Sequence, residues 1–290
     1  MKLLITGANG QVGSEIVKLC VLEKINIIPL DHQQCNIADL NAVENNLKKY
    51  KPDIVINAAA YTAVDRAETE PDKAYAVNTQ GAANLATVCA KLSIPLIHIS
   101  TDYIFDGNNV KSYTEEDTAA PNGVYAISKW QGEQAVREIC KQHIIVRVSW
   151  VFGAHGHNFV KTILRLAQER EELKIVADQF GCPTFAGYIA EVLIHIAKQI
   201  NPQFHQWGTY HYCDLPETNW YSFAESIVKF ARDKYTLCVK NVMPITTAEY
   251  PTPVKRPAYS VLNCQKIEKI FGIKQQNWLS GLEDMLFELR

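Results

Sequence analysis

Five short runs rich in isoleucine and valine punctuate the first half of this chain: KLLITG (2–7), INIIPLD (25–31), DIVINAAA (53–60), PLIHIS (95–100) and HIIVRVSW (143–150). Amphipathic stretches at 11–23, 40–50, 71–92 and 123–142 separate them. Strands covered on both faces read as continuous apolar runs, and a helix between two of them sets the pair parallel. Right-handed crossovers then build a doubly wound parallel sheet, an α/β fold. After residue 150 the pattern loosens: helices at 157–172, 186–199, 221–233 and about 278–289 lie among KIVADQFGCPTF, GTYHYCD and a loop holding Pro251, Pro253 and Pro257. The reading divides 290 residues into a sheet domain (1–150) and a smaller C-terminal lobe (151–290), part of which returns to the sheet domain.

Charge narrows the partners. Lys+Arg 29 against Asp+Glu 31 leaves −2 with no basic block, which argues against nucleic acid or an anionic membrane surface. The LLIT run near the start is too short for a signal-peptide core, and no run approaches the ~20 apolar residues of a membrane span. The eight cysteines include no Cys-x-x-Cys and lie mostly in apolar segments. They read as reduced packing residues of a cytoplasmic protein.

The first strand runs into GANGQVG, and SEIVKLCVLE opens a helix directly after it. Gly7, Gly10 and Gly13 permit a tight turn and let backbone N–H groups approach a pyrophosphate at the positive end of that helix. The second run ends at Asp31, where a carboxylate can accept hydrogen bonds from a ribose. Residues 32–36 are His, Gln, Gln, Cys and Asn, with no Lys or Arg to meet a 2′-phosphate, so the local charge leans towards NADH.

Tyr125 and Lys129 fall four residues apart in VYAISKWQGE, hence about 40° apart on one helix face. A phenol can give a proton to a carbonyl oxygen, but its free pKa of about 10 is high for exchange at neutral pH. A lysine one turn away stabilises the phenolate and brings that pKa down. Thr101, at the end of the fourth run in HISTDYIFDG, offers one more hydrogen bond to the same oxygen.

The glycine spacing, Asn-Ala-Ala-Ala at 57–60 and Tyr-x-x-x-Lys together resemble the extended short-chain dehydrogenase/reductase superfamily. STDYIFDG, VYAISKWQGE, RVSWVFG, DQFGCPT and RPAYSVLN, in that order from end to end, resemble the dTDP-4-dehydrorhamnose reductase family within it. The resemblance implies a Rossmann domain at 1–150, a substrate-binding lobe after it, and NADH- or NADPH-dependent reduction of the C4 ketone of a nucleotide-linked deoxysugar. By position it makes Thr101, Tyr125 and Lys129 the catalytic set. It lines the dinucleotide with Gly7, Gly10, Gln11, Val12, Gly13, Asp31, Asn36, Ile37, Ala60, Tyr61 and Thr62, together with Tyr125 and Lys129, and it puts Thr101, Asp102 and Trp150 against the sugar.

Departures and alternatives remain. The family often has Asp where Asn36 stands. Some members form a homodimer through Mg²⁺ held by glutamates, a pattern Glu15 and Glu288 fit without a third ligand; a solvated helix face explains the pair equally. Trp150 also reads as core, Asp178 and Gln179 as turn formers, and Arg256 as partner of either a diphosphate or a nearby carboxylate. His155 and His157 make a poor zinc pair. A 4,6-dehydratase needs Asp-Glu after the threonine, whereas Asp102 is followed by Tyr103. A non-catalytic nucleotide-binding subunit of this fold, like the regulatory β subunit of methionine adenosyltransferase, is the alternative function.

Overall fold

The computed structural model describes residues 1–289. Its centre is a six-stranded sheet of β1 (Lys2–Thr6), β2 (Asn26–Leu30), β3 (Ile54–Asn57), β4 (Leu96–Thr101), β5 (His143–Val148) and β6 (Gly208–His211). The spatial order is β6-β5-β4-β3-β1-β2, with every neighbouring pair parallel. Strand order reverses between β1 and β3, so a crevice opens there at the carboxyl edge of the sheet.

Helices α1 (Gln11–Leu22), α2 (Leu40–Tyr50), α3 (Ala82–Leu92) and α4 (Gly123–Ile139) accompany the first five strands; α5 (Phe159–Glu169), α6 (Ala186–Gln199), α7 (Trp220–Ala231) and α8 (Trp278–Glu288) follow. Two cores sandwich the sheet. On one face Leu4, Val55, Leu96 and Ile145 meet Leu47, Leu85 and Val136 of α2, α3 and α4. On the other, Leu3, Ile56, Ile97 and Val146 meet Ile16 of α1 and Ile189 and Leu193 of α6. Helices cover both faces, which is why the strands read as largely apolar runs. The chain after residue 150 therefore comes back twice, as α6 against α1 and as the edge strand β6.

The rest of that segment has its own core, in which Phe152, Ile163, Phe223, Trp278 and Met285 pack α5, α7 and α8 beside a parallel pair at 172–176 and 241–245. No helix among the described residues is long and apolar enough to cross a membrane. All eight cysteines are free, and only Cys238 is exposed.

One expected helix is interrupted. Residues 71–92 divide into α-helix at Pro71–Tyr75, π-helix at Ala76–Gly81 and α3. The wide turn presents Asn78, which bonds both the N–H and the C=O of Tyr61, at 2.9 and 3.0 Å, and the Ser128 hydroxyl on α4 at 3.0 Å. A Cβ at Gly132 of α4 would lie 2.1 Å from the Asn78 carbonyl oxygen, so only glycine lets the two helices approach this closely.

Candidate active site

Gly7 leaves β1 at φ +73°, and a Cβ there would stand 2.6 Å from the Ala59 backbone at the end of β3. Gly13 is needed for the return: its Cβ would lie 2.1 Å from the Gly7 carbonyl oxygen. Gly10 caps α1, whose first turn has no side-chain cap and no acid, so its N–H end faces the crevice with positive potential. A cavity of about 300 Å³ opens here, and Gly7, Gly10, Asp31, Ile37, Ala60 and Tyr61 from the expected cofactor set line it.

The other expected cofactor residues lie elsewhere. Val12 is core and Gly13 is buried under the turn. Gln11 accepts a hydrogen bond from Asn158 Nδ2 (2.9 Å), tying the glycine turn to the lobe. Asn36 is exposed and accepts from the Ala38 N–H at 3.1 Å, and Thr62 is exposed. Asn9, His32, Cys35, Ala58, Ala59 and Val77 line the cavity without having been singled out. Ala58 and Ala59 could have been found, because they follow β3 at the switch point; Val77 comes from the π segment, which no periodicity reveals.

Thr101 ends β4 buried, accepting from the Tyr103 N–H (3.2 Å) and donating to Asp102 Oδ1 (3.1 Å). Tyr125 packs edge-on against Tyr103, centroids 5.8 Å apart, in one apolar cluster with the cavity-lining Tyr61. Burial pushes the Tyr125 phenol up to about 12, opposed by the Thr101 hydroxyl.

The expected effect of Lys129 on that phenol is not what the structure shows. Lys129 Nζ donates to the Ile99 carbonyl at 2.7 Å, and the Tyr125 phenol is shifted upward rather than down. Both groups are buried, so desolvation governs each: the phenol rises, and the ammonium falls to about 8 despite Glu133 one turn on. Asp102 is buried as well, raised to about 7 by burial against hydrogen bonds from Ser260 and Thr101, and its Oδ2 has no partner.

Trp150 takes φ +43° just after β5 and stacks on Trp220, centroids 3.5 Å apart and planes 7° apart. Asp178 and Gln179 hold Thr247: Asp178 accepts from its N–H (2.9 Å) and hydroxyl (2.7 Å), and Gln179 Nε2 donates to that hydroxyl (3.0 Å). They tie their loop to a segment 69 residues further along the chain. Arg256 pairs with the Asp65 carboxylate at 2.7 Å.

His155 supplies the third group beside Glu15 and Glu288, one ligand atom of each lying within 4.8 Å of the others; His157 is not in that group. Glu15 Oε1 is buried without a partner, which suits a cation. Lys18 Nζ, however, stands 2.8 Å from Glu288 and 3.8 Å from Glu15, so an ammonium already balances the pair.

The family described as RmlD substrate binding domain matches residues 1–290. A dTDP-4-dehydrorhamnose reductase of Aggregatibacter actinomycetemcomitans is 43% identical over 287 residues, covering 98% of each chain. The crystal structure of a dTDP-4-dehydrorhamnose reductase from Clostridium acetobutylicum superposes with a TM-score of 0.92 at 38% identity, covering 100% of this chain and 99% of that one. The Bacillus anthracis enzyme, solved in complex with NADP, gives 0.91 at 37%, covering 99% and 100%. The chain belongs to the dTDP-4-dehydrorhamnose reductase family.

Proposed function

We propose that this protein reduces the C4 ketone of dTDP-4-dehydro-L-rhamnose to dTDP-L-rhamnose, using NADH or NADPH and Tyr125 as proton donor. The observation that carries the reading is the burial of Thr101, at the carboxyl edge of β4, and of Tyr125, which clusters with Tyr61 beside a crevice lined by Gly7, Gly10 and Asp31. When bound, the nicotinamide supplies hydride to the ketone carbon. Tyr125 gives its proton to the ketone oxygen, and Thr101 turns its single hydroxyl proton from Asp102 Oδ1 to steady the same oxygen. A phenol held near 12 stays protonated across the physiological range, so the acid is always charged with its proton. Lys129, buried one turn away, holds the ribose and the geometry of the pair.

Residues 1–150 serve as the dinucleotide-binding domain and residues 151–290 mainly as the substrate lobe, with Asp102 and Trp150 against the sugar. The remaining cofactor contacts fall to Gln11, Val12, Gly13, Asn36 and Thr62 through their backbone or at the rim. The protein works in the cytoplasm, where its thiols stay reduced, and a homodimer fits the exposed faces of α1 and α8. The test is to supply dTDP-4-dehydro-L-rhamnose with NADH or NADPH, follow oxidation of the cofactor and identify dTDP-L-rhamnose by chromatography. Tight cofactor binding without product would overturn the reading in favour of the regulatory-subunit alternative.

A further inference from the structure

Lys129 reaches the sheet between two unsatisfied side chains. Its ammonium donates to the Ile99 carbonyl at 2.7 Å, and on β4 Ile99 is flanked by His98 and Ser100. Side chains two residues apart on a strand share a face, about 7 Å from each other. That face is the one α4 covers, because Leu96 packs in the same core as Val136 and Cys140. His98 and Ser100 are 1% and 3% exposed, yet His98 Nε2 and Ser100 Oγ have no hydrogen-bond partner.

The hydrogen bonds on the far side of the imidazole fix its tautomer. Asn57 Oδ1 accepts from the Thr6 hydroxyl (2.8 Å) and from the Ala59 N–H (3.0 Å), so the other end of that amide is the NH₂ group. It meets His98 Nδ1 at 2.9 Å, and an amide N–H can only donate to a bare nitrogen. Burial first, and then the Lys129 charge, keep the ring neutral. The proton therefore sits on Nε2, and the unmet group is an N–H donor. Lys129 brings further N–H donors to the same face. Two donors cannot satisfy each other, and Ser100 Oγ, which has lone pairs enough for both, is bonded to neither.

We propose that His98 and Ser100 hold one internal water between β4 and α4, and that this water is the second partner of the Lys129 ammonium. A water can accept from His98 Nε2–H and from Lys129 while donating to Ser100 Oγ, matching the three or so hydrogen bonds that buried waters make. Thr6, Asn57, His98 and the water then form a buttress from β1 through β3 and β4 to the lysine. His98 is a positioning residue: it touches neither substrate nor cofactor, and it acts by orienting Lys129. The consequence for catalysis rests on Lys129 serving the reduction proposed above; the water site does not.

Two measurements test this on the full chain. A high-resolution crystal structure should show an ordered water within about 2.7–3.2 Å of both His98 Nε2 and Ser100 Oγ; density for none there overturns the site whatever the enzyme reduces. The second is a pair of substitutions. His98→Gln keeps an N–H where Nε2–H lies and loses the acceptor facing Asn57, whereas His98→Asn does the reverse. With a water-held lysine, kcat for the Gln variant should stay within about 3-fold of wild type and that of the Asn variant should fall about 10-fold or more, the scale of a mispositioned catalytic group. Thermal stability should not follow that order. If Asn preserves kcat and Gln does not, or if kcat simply tracks Tm, His98 is only a core partner for Asn57. A wild-type chain inactive on the sugar nucleotide but holding the water would sink the proposed reaction and leave the site standing.

Discussion

Arg256 Nη2 lies 2.7 Å from Asp65 Oδ2, joining residues 191 apart in sequence. The guanidinium also sits 5.9 Å from the Tyr103 ring centroid, and Tyr103 packs edge-on against Tyr125. The pair thus braces the late proline loop against the wall of the reaction centre. Of the two partners weighed for Arg256, the carboxylate is the one in contact.

Removing the anion should cost more than removing the cation. Asp65→Ala leaves a guanidinium only 17% exposed without its counter-charge, and its Nη1 already lacks a partner. The expected loss is about 1 kcal/mol, at the low end for an unmet charged group because Asp65 itself is 44% exposed. Arg256→Met keeps the stem and removes the charge, so it should lose less. Denaturant unfolding of both variants decides it, and the reverse order would show that packing of the stem outweighs the ion pair.

Tyr125→Phe keeps the ring against Tyr103 and removes only the hydroxyl. Turnover should fall about 10²-fold or more, with stability and dinucleotide affinity nearly unchanged. A Phe variant turning over like wild type would dismiss Tyr125 as the acid.

Asp31 is more committed than a free ribose acceptor. Oδ1 accepts from the Gln33 and Gln34 N–H groups, each at 2.9 Å, and Oδ2 from Asn9 Nδ2 at 3.1 Å. Three donors soften its repulsion of a 2′-phosphate, which fits the NADP found in the Bacillus anthracis relative. Asp31→Ala should still raise the NADPH/NADH ratio of kcat/KM by about tenfold, the worth of ~1.4 kcal/mol. An unchanged ratio would mean that the carboxylate serves its own turn and never meets the ribose.

His211 gives a pH signature. Its Nε2 accepts from Arg147 Nη1 (3.2 Å), its Nδ1–H donates to the Tyr113 carbonyl (3.0 Å), and burial, with Arg147 second, presses its pKa from 6.5 to about 3. Between those values the unfolded chain binds a proton that the folded chain refuses, so this group makes stability fall as pH drops through the window, by up to about 1.4 kcal/mol per unit. His211→Gln removes that proton. The wild-type advantage over the variant should therefore shrink from pH 6.5 towards pH 4, and a constant gap would rule out His211 as the source.

The sheet was legible because β1, β3, β4 and β5 are covered on both faces, which leaves largely apolar runs that no surface strand shows. Gly7 and Gly13 were legible because backbone approaches of 2.6 and 2.1 Å admit nothing larger. Lys129 was found by its spacing from Tyr125, but its actual partner was not, since the Ile99 carbonyl is 30 residues away and any backbone oxygen could have served. The same holds for Val77, placed by a π turn, and for His155, which joins the already paired Glu15 and Glu288 from a distant segment. Local pattern names the element; long-range packing names the contact.

Trp150 stands where these two kinds of information meet. Its indole is stacked on Trp220, its backbone sits at a positive φ that L residues other than Asn and Asp seldom adopt, and a Cβ on Gly181 would come within 2.5 Å of its Cε2. One face of the ring is thus taken by Trp220, and the Gly181 backbone crowds Cε2, Cζ2 and Nε1, which leaves the edge away from both for a sugar. The backbone and the stack leave the indole no room to yield, so Gly181→Ala should overpack the lobe and cost about 1–3 kcal/mol. If that remaining edge carries the sugar, the displaced indole also raises KM for the sugar nucleotide several-fold, while KM for the dinucleotide, bound across the sheet at the glycine turn, stays put. Trp150→Phe should raise the same KM with a smaller loss of stability, because a ring remains to stack on Trp220. Should both variants lose stability and keep the sugar-nucleotide KM of wild type, Trp150 is packing alone and the sugar is held elsewhere in the lobe.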